Sequence, residues 1–233
     1  MVMTVTELGG YDEEQVQMMK ENCIVVDEND TIIGNDSKVS CHLGEGKLHR
    51  AFSVLLFNSK NELLIQKRAA EKITFPSIWA NSCCSHPLFL DDEKEGIDGA
   101  RVAAKRKMVQ ELGIEENKID IQKLNFITRM HYKARADEKW IEHEIDYIFV
   151  MKDDLEINPN KNEIETTKYV NQSELNEFFE KAEENGDLIG PWFRLIKEHF
   201  IDKIWENISN LGKVRDQQDT IWENVNEYQT KIS

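Results

Sequence analysis

The most apolar segment of the chain, residues 51–57, has the sequence Ala-Phe-Ser-Val-Leu-Leu-Phe and predicts a β-strand. A polar turn at 58–61 follows it, and residues 62–66 predict a second strand that returns beside the first. No apolar run approaches the ~20 residues that a membrane-spanning helix needs. A chain of 233 residues has the length of one large domain, so we expect the strands to form one sheet between helices.

The rest of the chain alternates short strands with a few helices. Strands are predicted at 23–26, 31–34, 125–131, 144–151 and 165–170, and helices at 11–22, 99–112, 174–185 and from Pro191 onward. Asp98 and Ser173 are the expected N-caps of the second and third helices, and Gly113 is the expected residue after the second. We therefore predict an α+β fold. It consists of an N-terminal helical extension over 1–22, a central domain over 23–207 and a C-terminal tail over 208–233.

The charge of the chain excludes some partners and indicates another. With a net charge of −15, the chain is expected to bind neither nucleic acid nor an anionic membrane. Residues 38–72 run against this trend, with seven Lys or Arg and three Glu. This basic segment indicates a pocket for a small anion, although a solvated basic face is the alternative that composition leaves open.

The cysteines and the chain ends indicate a compartment. Cys23, Cys41, Cys83 and Cys84 form neither a CxxC pair nor a zinc-ribbon spacing. The sequence starts without a basic and then apolar leader, and it ends without a peroxisomal tripeptide. We therefore expect a cytoplasmic monomer whose thiols are reduced.

The end of the helix at 99–112 resembles the last part of a Nudix box, whose core is Arg-Glu-apolar-x-Glu-Glu-x-Gly-apolar. The aligned segment begins at Arg106, and Glu111 is the one expected glutamate present, since Lys107 and Gln110 occupy the other two positions. Nudix hydrolases use these carboxylates to hold the divalent ions that activate water. The pattern therefore indicates the fold and argues against the hydrolase chemistry.

Histidines and carboxylates elsewhere form a better candidate metal site. His42 and His49 flank a short loop, and His86 lies in the segment Asn-Ser-Cys-Cys-Ser-His-Pro. Glu142 and Glu144 are two residues apart, a spacing that places both carboxylates on one face of a strand. Imidazoles and carboxylates suit Zn²⁺, Mn²⁺ or Mg²⁺. Each element alone is also compatible with packed or solvated side chains, so the interpretation depends on their combination.

Four motifs in combination resemble a known family. They are Cys-His-Leu at 41–43, Leu-His-Arg-Ala-Phe-Ser at 48–53, the segment at 81–87 and Glu-His-Glu at 142–144. Together they resemble type 1 isopentenyl-diphosphate isomerase over roughly residues 20–205. In spacing and sequence, the resemblance is strongest to the eukaryotic members of that family. The resemblance implies a Nudix-like α/β/α sandwich with a mixed sheet and helical additions at both termini.

For the metal and the catalytic groups, the resemblance implies particular positions. One divalent ion, expected to be Mg²⁺ with Zn²⁺ or Mn²⁺ as alternatives, would be held by His42, His49, His86, Glu142 and Glu144. Cys84 and Glu144 would be the catalytic pair, with Cys83 structural. Tyr132 and Trp192 match an active-site tyrosine and tryptophan of the family.

For the substrate, the resemblance implies a diphosphate held by basic residues. The positions are Lys38, Arg68, Lys72, Ser85 and Lys107. Glu111 would help to hold a second Mg²⁺ that arrives with the diphosphate. A small-molecule prenyl diphosphate is thus the expected partner.

The implied reaction interconverts isopentenyl diphosphate and dimethylallyl diphosphate, an early step of isoprenoid biosynthesis. An acid protonates the alkene to a tertiary carbocation, and a base then removes an allylic proton. Two alternatives are a Nudix-type pyrophosphohydrolase and a catalytically silent diphosphate-binding protein. The missing box glutamates argue against the first, and the catalytic pair together with all three histidines argues against the second.

Overall fold

A computed structural model describes residues 8–182, 184–216 and 220–229 of the chain. Within these residues, one mixed sheet contains all the strands. They are β1 Asn22–Val26, β2 Ile32–Ser37, β3 His49–Phe57, β4 Leu63–Arg68, β5 Trp79–Ala80, β6 Cys83–Ser85, β7 Asn125–Arg135, β8 Ile141–Lys152, β9 Ile164–Val170 and β10 Ile221–Gln229. The strands predicted from the sequence are all present. β7 and β8 extend further than predicted because they continue together as a hairpin as far as the pair Arg135↔Ile141.

The order of the strands places β3 and β8 at the centre of the sheet. The main path is β10-β7-β8-β3-β1-β2, while β6 also pairs with β3, and β4 leads from β3 to β5 and β9. β3 and β8 run parallel in continuous register, from His49↔Glu144 to Phe57↔Lys152. β10 and β7 are also parallel, and β7 and β8 are antiparallel. Side chains at the start of β3 therefore lie next to those near the start of β8.

Every residue of β3 is buried, because other elements cover both faces of the sheet. Phe52, Val54 and Leu56 belong to the same apolar cluster as α3, the helix over Gly96–Leu112. Leu55 and Phe57 face the opposite cluster, which includes α5, the helix over Pro191–Ile196. Since successive side chains of a strand point to opposite faces, burial on both sides explains why this segment is almost wholly apolar.

Most of the helices are short, and α3 is the longest of those described. Those described are α1 Glu13–Met18, α2 Lys38–His42, α3, α4 Gln172–Lys181, α5 and α6 Asp202–Glu206, with a π-helical turn at Lys197–Ile201 between the last two. Pro191 is the first residue of α5, as predicted. α1 occupies only the middle of the predicted helix at 11–22, because a turn at Lys20 and Glu21 ends it before β1. In the described part of the chain, no helix combines the length and the apolar character needed to cross a membrane.

Two predicted N-caps are wrong. Asp98 lies inside the first turn of α3, which begins after Glu95 and has no side-chain cap. Ser173 lies inside α4, because Asn171 and Glu174 form a capping box whose N-cap lies two residues earlier than predicted. In this box the Asn171 side chain accepts the backbone N–H of Glu174 at 3.0 Å, and the Glu174 carboxylate accepts that of Asn171 at 2.8 Å. Several polar residues precede each helix, and the local pattern does not determine which of them caps it.

Gly113 ends α3 as predicted. Its φ of 63° lies in the left-handed region, and a Cβ at this position would stand 1.9 Å from the carbonyl oxygen of Asn158. The backbone N–H of Asn158 donates to the carbonyl oxygen of Leu112, and that of Asn160 donates to the carbonyl oxygen of Glu111. The end of α3 is thereby fixed to the segment that leads into β9.

A strand occupies part of the predicted C-terminal tail. β10 runs parallel to β7, with Ile221 opposite Arg129, at one end of the sheet. An edge strand has a partner on one side only, so it needs less apolar sequence than a central strand such as β3. The segment boundaries after residues 22 and 207 stay predictions.

Candidate active site

Three strand pairings bring predicted site residues together. His49 at the start of β3 lies opposite Glu144 of β8, and Tyr132 of β7 lies opposite Glu144 from the other side. Cys84 of β6 lies opposite Ser53 of β3. Segments that are far apart in the sequence therefore converge on one region of the sheet.

Three histidines surround one oxygen of Glu144. The distances from Oε1 of Glu144 are 2.8 Å to His86 Nε2, 3.5 Å to His49 Nε2 and 3.8 Å to His42 Nε2. The ligand atoms of the four residues lie within 4.8 Å of one another, and all four side chains are buried. This spacing is short enough for one ion to contact all of them.

Backbone carbonyl groups orient two of the imidazoles. His42 Nδ1 lies 2.7 Å from the carbonyl oxygen of Lys38, and His49 Nδ1 lies 2.7 Å from that of Lys47. A ring that donates from Nδ1–H leaves Nε2 unprotonated and able to bind a cation. Both Nε2 atoms are buried without a hydrogen-bond partner, and so is Nδ1 of His86. Because such atoms are uncommon in folded proteins, the cluster fits an ion that would satisfy the Nε2 atoms of His42 and His49.

The protonation states of three members of the cluster favour a cation as well. Burial lowers the pKa of His42 to about 4 and that of His86 well below its usual range, so both rings are neutral at pH 7. Burial also opposes protonation of His49, but Glu144 and Cys41 raise its pKa to about 9, so this ring would release a proton when a cation binds. Burial opposes the ionisation of Glu144, yet the three histidines hold its pKa well below the usual range. Neutral imidazoles and a carboxylate are the donors that divalent ions bind. His42, His49, His86 and Glu144 therefore form a candidate metal centre.

Tyr132 lies between the two glutamates of β8. Its hydroxyl oxygen is 2.5 Å from Oε2 of Glu144 and 2.9 Å from Oε2 of Glu142. Burial and the charge of Glu144 raise the pKa of Glu142 to about 8. Glu142 lies outside the compact group of three histidines and Glu144, although it lines the same cavity. The structure thus brings Glu142 beside the metal cluster without including it.

Asp146 is a further acid on the cavity side of β8, and sequence analysis missed it. It is buried, lines the cavity and accepts a hydrogen bond of 2.8 Å from the Ser53 hydroxyl. Burial and the charge of Glu144 raise its pKa to about 8. His143 instead contacts His131, with their Nε2 atoms 3.0 Å apart. The alternation seen in the Glu-His-Glu motif continues for two more residues, so extending that periodicity would have found Asp146.

Two neighbouring cysteines face opposite sides of β6. Cys84 is partly exposed and lines the cavity, with its Sγ 3.8 Å from Nη1 of Arg68. Cys83 is fully buried on the other side, where its Sγ lies 3.6 Å from Oε2 of Glu111. Burial raises the pKa of Cys84 to about 12, so this thiol keeps its proton at pH 7. A molecule in the cavity would therefore meet Cys84, in its protonated form.

Trp192 forms part of the cavity wall at the start of α5. Its Nε1–H donates to Oδ1 of Asn81 at 2.9 Å, and its ring meets that of Phe75 edge-on at 5.4 Å between centroids. The guanidinium of Arg68 lies 5.6 Å from the centroid of the indole ring. These contacts fix the orientation of an aromatic face that attracts cations.

Basic side chains form another part of the wall. The lining residues include Lys38, Arg68, Lys72 and Ser85. Carbonyl oxygens hold Arg68 in place, since its Nη2 donates to Thr74 at 2.8 Å and its Nε donates to Phe75 at 2.9 Å. The basic segment at 38–72 thus contributes three cations to one cavity.

Two predicted site residues, Lys107 and Glu111, are not among the residues that line the cavity. Nζ of Lys107 is 3.0 Å from Oε1 of Glu111, and both side chains are buried on α3. Lys107 also lies 3.9 Å from Oε1 of Glu163, a buried acid that sequence analysis missed. No sequence motif marks Glu163. Its contacts with α3 arise only when the segment before β9 packs against that helix.

Comparison with known proteins identifies the family. The NUDIX domain family matches residues 47–193. Isopentenyl-diphosphate Delta-isomerase 1 of Bos taurus is 47% identical over 213 residues, which cover 89% of this chain and 94% of that protein. Isopentenyl-diphosphate delta-isomerase of Schizosaccharomyces pombe is 46% identical over 215 residues, which cover 88% of this chain and 93% of that protein. The chain belongs to the isopentenyl-diphosphate delta-isomerase family.

Membership of the isopentenyl-diphosphate delta-isomerase family confirms the resemblance that the motifs indicated. The chain is accordingly an isomerase, and the pyrophosphohydrolase alternative is not favoured. A solved protein from Deinococcus radiodurans covers 78% of this chain and 100% of its own, with a TM-score of 0.56 and 16% identity. At this identity the likeness is one of fold alone. It confirms the predicted α+β class, in which helices cover a mixed sheet.

Proposed function

We propose that the chain interconverts isopentenyl diphosphate and dimethylallyl diphosphate. The observation that carries the proposal is that Cys84 and Glu144 line one cavity from two different strands, β6 and β8. A thiol and a carboxylate are two groups able to add one proton and remove another. The names of the curated relatives, at 46–47% identity over most of the chain, support the same substrate.

The proposed reaction moves one proton in and one proton out. The first group protonates the terminal methylene carbon of isopentenyl diphosphate, and the electron pair of the double bond forms the new C–H bond. The second group takes a proton from C2 of the tertiary carbocation, and the electrons of that C–H bond form the new double bond. The reaction balances whether Cys84 or Glu144 is the acid. The thiol of Cys84 holds its proton at pH 7, because burial raises its pKa to about 12.

We assign the metal site to His42, His49, His86 and Glu144, with Glu142 as a further ligand. Mg²⁺ is the proposed ion because carboxylate oxygens suit it. Mn²⁺ is an alternative for the same reason, and Zn²⁺ is an alternative because imidazole nitrogens suit it. When bound, the ion supplies positive charge that fixes Glu144 and lowers its proton affinity. The residues fit this role, since the buried Nε2 atoms of His42 and His49 have no hydrogen-bond partner.

Trp192 is proposed to stabilise the carbocation. Its indole is 2% exposed and lines the same cavity as the catalytic pair. A cation over an indole face gains about 2 kcal/mol when water is excluded. Exclusion of water also prevents hydration of the cation to an alcohol.

The diphosphate is proposed to contact Lys38, Arg68, Lys72 and Ser85, which all line the cavity. A phosphate group would then face three cations, an arrangement that binds anions strongly. Lys107 is still proposed to contact the diphosphate, and Glu111 is still proposed to bind a second Mg²⁺ that arrives with it. Their present contact at 3.0 Å would have to open for either role.

Incubation with isopentenyl diphosphate and Mg²⁺, followed by product analysis, tests the proposed function. Dimethylallyl diphosphate is the expected product. Release of phosphate or pyrophosphate would favour a hydrolase, and unchanged substrate would favour a silent binding protein. Cys84→Ala is the control that shows whether any isomer formed depends on the cavity.

A further inference from the structure

Glu163 is a buried carboxylate beside the cavity wall, and the reaction proposed above does not use it. Its side chain is 1% exposed and forms an ion pair with Lys72 through Oε2. Oε1 of Glu163 faces Nζ of Lys107 at 3.9 Å and Nε2 of Gln110 at 3.5 Å. Lys72 lines the cavity and Glu163 does not. The same ammonium group therefore pairs with an internal anion and borders the space where a diphosphate would bind.

Backbone contacts fix the position of Glu163. The N–H of Asn160 donates to the carbonyl oxygen of Glu111 at 2.9 Å, which ties the segment before β9 to α3. The N–H of Ala69 donates to the carbonyl oxygen of Glu163 at 3.0 Å, which ties the same segment to the loop that carries Lys72. The backbone segments at both ends of the ion pair are thus tied to each other and to α3.

Three lysines converge on this region, and their charges affect one another. Burial, and then the ammonium groups of Lys72 and Lys107, lower the pKa of Lys38. Burial opposes the ionisation of Glu163, but Lys72 and Lys107 lower its pKa to about 2. Lys107 has a second carboxylate partner in Glu111. Before substrate binds, Glu163 therefore supplies a buried negative charge in direct contact with the ammonium group of Lys72.

The cavity is narrow, with a volume of about 30 Å³, and Lys72 is part of its wall. An anion that enters it therefore comes close to the ammonium group of Lys72. Lys72 has a long, flexible side chain, so its ammonium group can turn from Glu163 toward an anion in the cavity.

We infer that Glu163 is a positioning residue that competes with the substrate diphosphate for the ammonium group of Lys72. The inference rests on the proposed function, because it takes a diphosphate as the ligand of the cavity. In the free protein, the ammonium group of Lys72 pairs with Glu163. When the diphosphate binds, the ammonium group pairs with the diphosphate instead. Since this exchange weakens a buried ion pair, and since the carboxylate repels the anion, Glu163 lowers the affinity for diphosphate and speeds its release.

Binding of inorganic pyrophosphate tests the competition. Glu163→Gln keeps the shape of the side chain and removes its charge, and calorimetry on the metal-loaded full chain measures Kd. We expect about tenfold tighter binding, the order of magnitude for removal of one nearby opposing charge. KM for isopentenyl diphosphate should fall in parallel while kcat does not rise, because substrate and transition state gain equally. General damage to the fold would weaken binding instead, so unchanged or weaker binding overturns the inference.

Glu165→Gln is the matched control. Glu165 lies two residues further along the chain, is 48% exposed and pairs with Lys67 at 3.1 Å. This variant changes the net charge by the same amount, and Lys67 is not a residue of the cavity wall. Its pyrophosphate affinity should equal that of the unaltered chain. Tightening as large as that of Glu163→Gln would assign the effect to net charge and reject the competition for Lys72.

Glu163→Asp decides the question if Glu163→Gln does not fold. The aspartate keeps the charge, but its shorter side chain weakens the contact with Lys72, so pyrophosphate should bind about twofold more tightly. Binding that is unchanged or weaker than in the unaltered chain overturns the inference. Absence of pyrophosphate binding by the unaltered chain would be a different result, since it removes the proposed diphosphate pocket itself.

Discussion

The hydroxyl of Tyr132 lies 2.5 Å from Oε2 of Glu144, while Oε1 of the same carboxylate faces His42, His49 and His86. One carboxylate thus connects the candidate metal centre to a hydroxyl donor. Tyr132 belongs to β7, and none of its atoms is part of the histidine cluster. Metal binding would involve Oε1 of Glu144, whereas the hydrogen bond from Tyr132 involves Oε2. The two functions can therefore be tested separately.

Tyr132→Phe should reduce turnover while the metal stays bound. The change removes the hydrogen bond to Oε2 of Glu144 and leaves Oε1 and the histidines in place. We expect kcat to fall by about 10²-fold, the usual order for loss of one positioned donor. Steady-state kinetics and elemental analysis of the same sample measure the two effects. Loss of metal in proportion to activity would contradict this separation.

Replacement of the catalytic pair should abolish turnover, whereas replacement of the neighbouring cysteine should not. Cys84→Ala and Glu144→Gln each remove a group that is proposed to exchange a proton with the substrate, so we expect losses of about 10³-fold or more. Cys83→Ser should keep most of the activity, because its side chain faces Glu111 outside the cavity and a hydroxyl group can also donate to that carboxylate. An inactive Cys83→Ser beside an active Cys84→Ala would reverse the assignment of the catalytic thiol.

Alkylation of Cys84 should show its raised pKa. Iodoacetamide reacts with the thiolate, and burial raises the pKa of Cys84 to about 12, so the rate should rise about tenfold per pH unit from pH 7 to 10. A thiol with an ordinary pKa near 8.5 would level off by about pH 9.5. Mass spectrometry of timed samples locates the label, with Cys84→Ala as the unlabelled control. A plateau by about pH 9.5 would contradict the role of burial.

Removal of the metal should lower both stability and activity. The candidate ligands come from α2, β3, β8 and the segment after β6, so one bound ion would tie four parts of the fold together. We expect chelation to lower the melting temperature by on the order of 10 °C. His42→Ala should lose metal, whereas His143→Ala should keep it, because His143 contacts His131 instead of the cluster. Unchanged melting and full activity after verified loss of metal would reject the site.

Reaction in D₂O should place deuterium in a methyl group of dimethylallyl diphosphate. The label comes from a catalytic group that exchanges with solvent, and the terminal methylene carbon receives it. Reversal at equilibrium should also bring deuterium into C2 and into the isopentenyl diphosphate pool. Nuclear magnetic resonance or mass spectrometry detects both. Product without solvent deuterium would exclude an exchanging pair of Cys84 and Glu144.

Trp192→Ala should slow incorporation of deuterium without weakening pyrophosphate binding. Loss of about 2 kcal/mol of carbocation stabilisation corresponds to a rate about 30-fold lower. The cation exists only after protonation, so its loss of stabilisation falls on the transition state. Trp192→Phe is the milder comparison, because it keeps an aromatic face and fills most of the volume. Equal rates for the alanine variant and the unaltered chain would remove Trp192 from the mechanism.

Elements with strong local signals were predicted well, and those that depend on neighbours were not. Residues 51–57 of β3 are apolar except for Ser53, because both faces of the strand are covered. Position 113 requires glycine, because its backbone is left-handed and Asn158 approaches it closely. The caps of α3 and α4 were misplaced because several polar residues compete at each helix start. β10 was missed, since a strand at the edge of the sheet needs little apolar sequence.

For the site, the sequence by itself determined which side chains are available and which face of a strand each one shares. The period of two places Glu142 and Glu144 together and separates Cys84 from Cys83, whatever the rest of the chain does. The motifs also named the family, which the relatives confirm. These properties follow from residue type and local geometry.

Only the tertiary structure decided how far apart these groups lie and which ones face the cavity. The parallel register of β3 and β8 sets His49 beside Glu144. The contact between α3 and the segment before β9 brings Lys107 near Glu163 and leaves it out of the cavity wall. Distances between segments depend on strand register and helix packing, which arise from the whole chain burying its apolar surface together, so no local motif contains them.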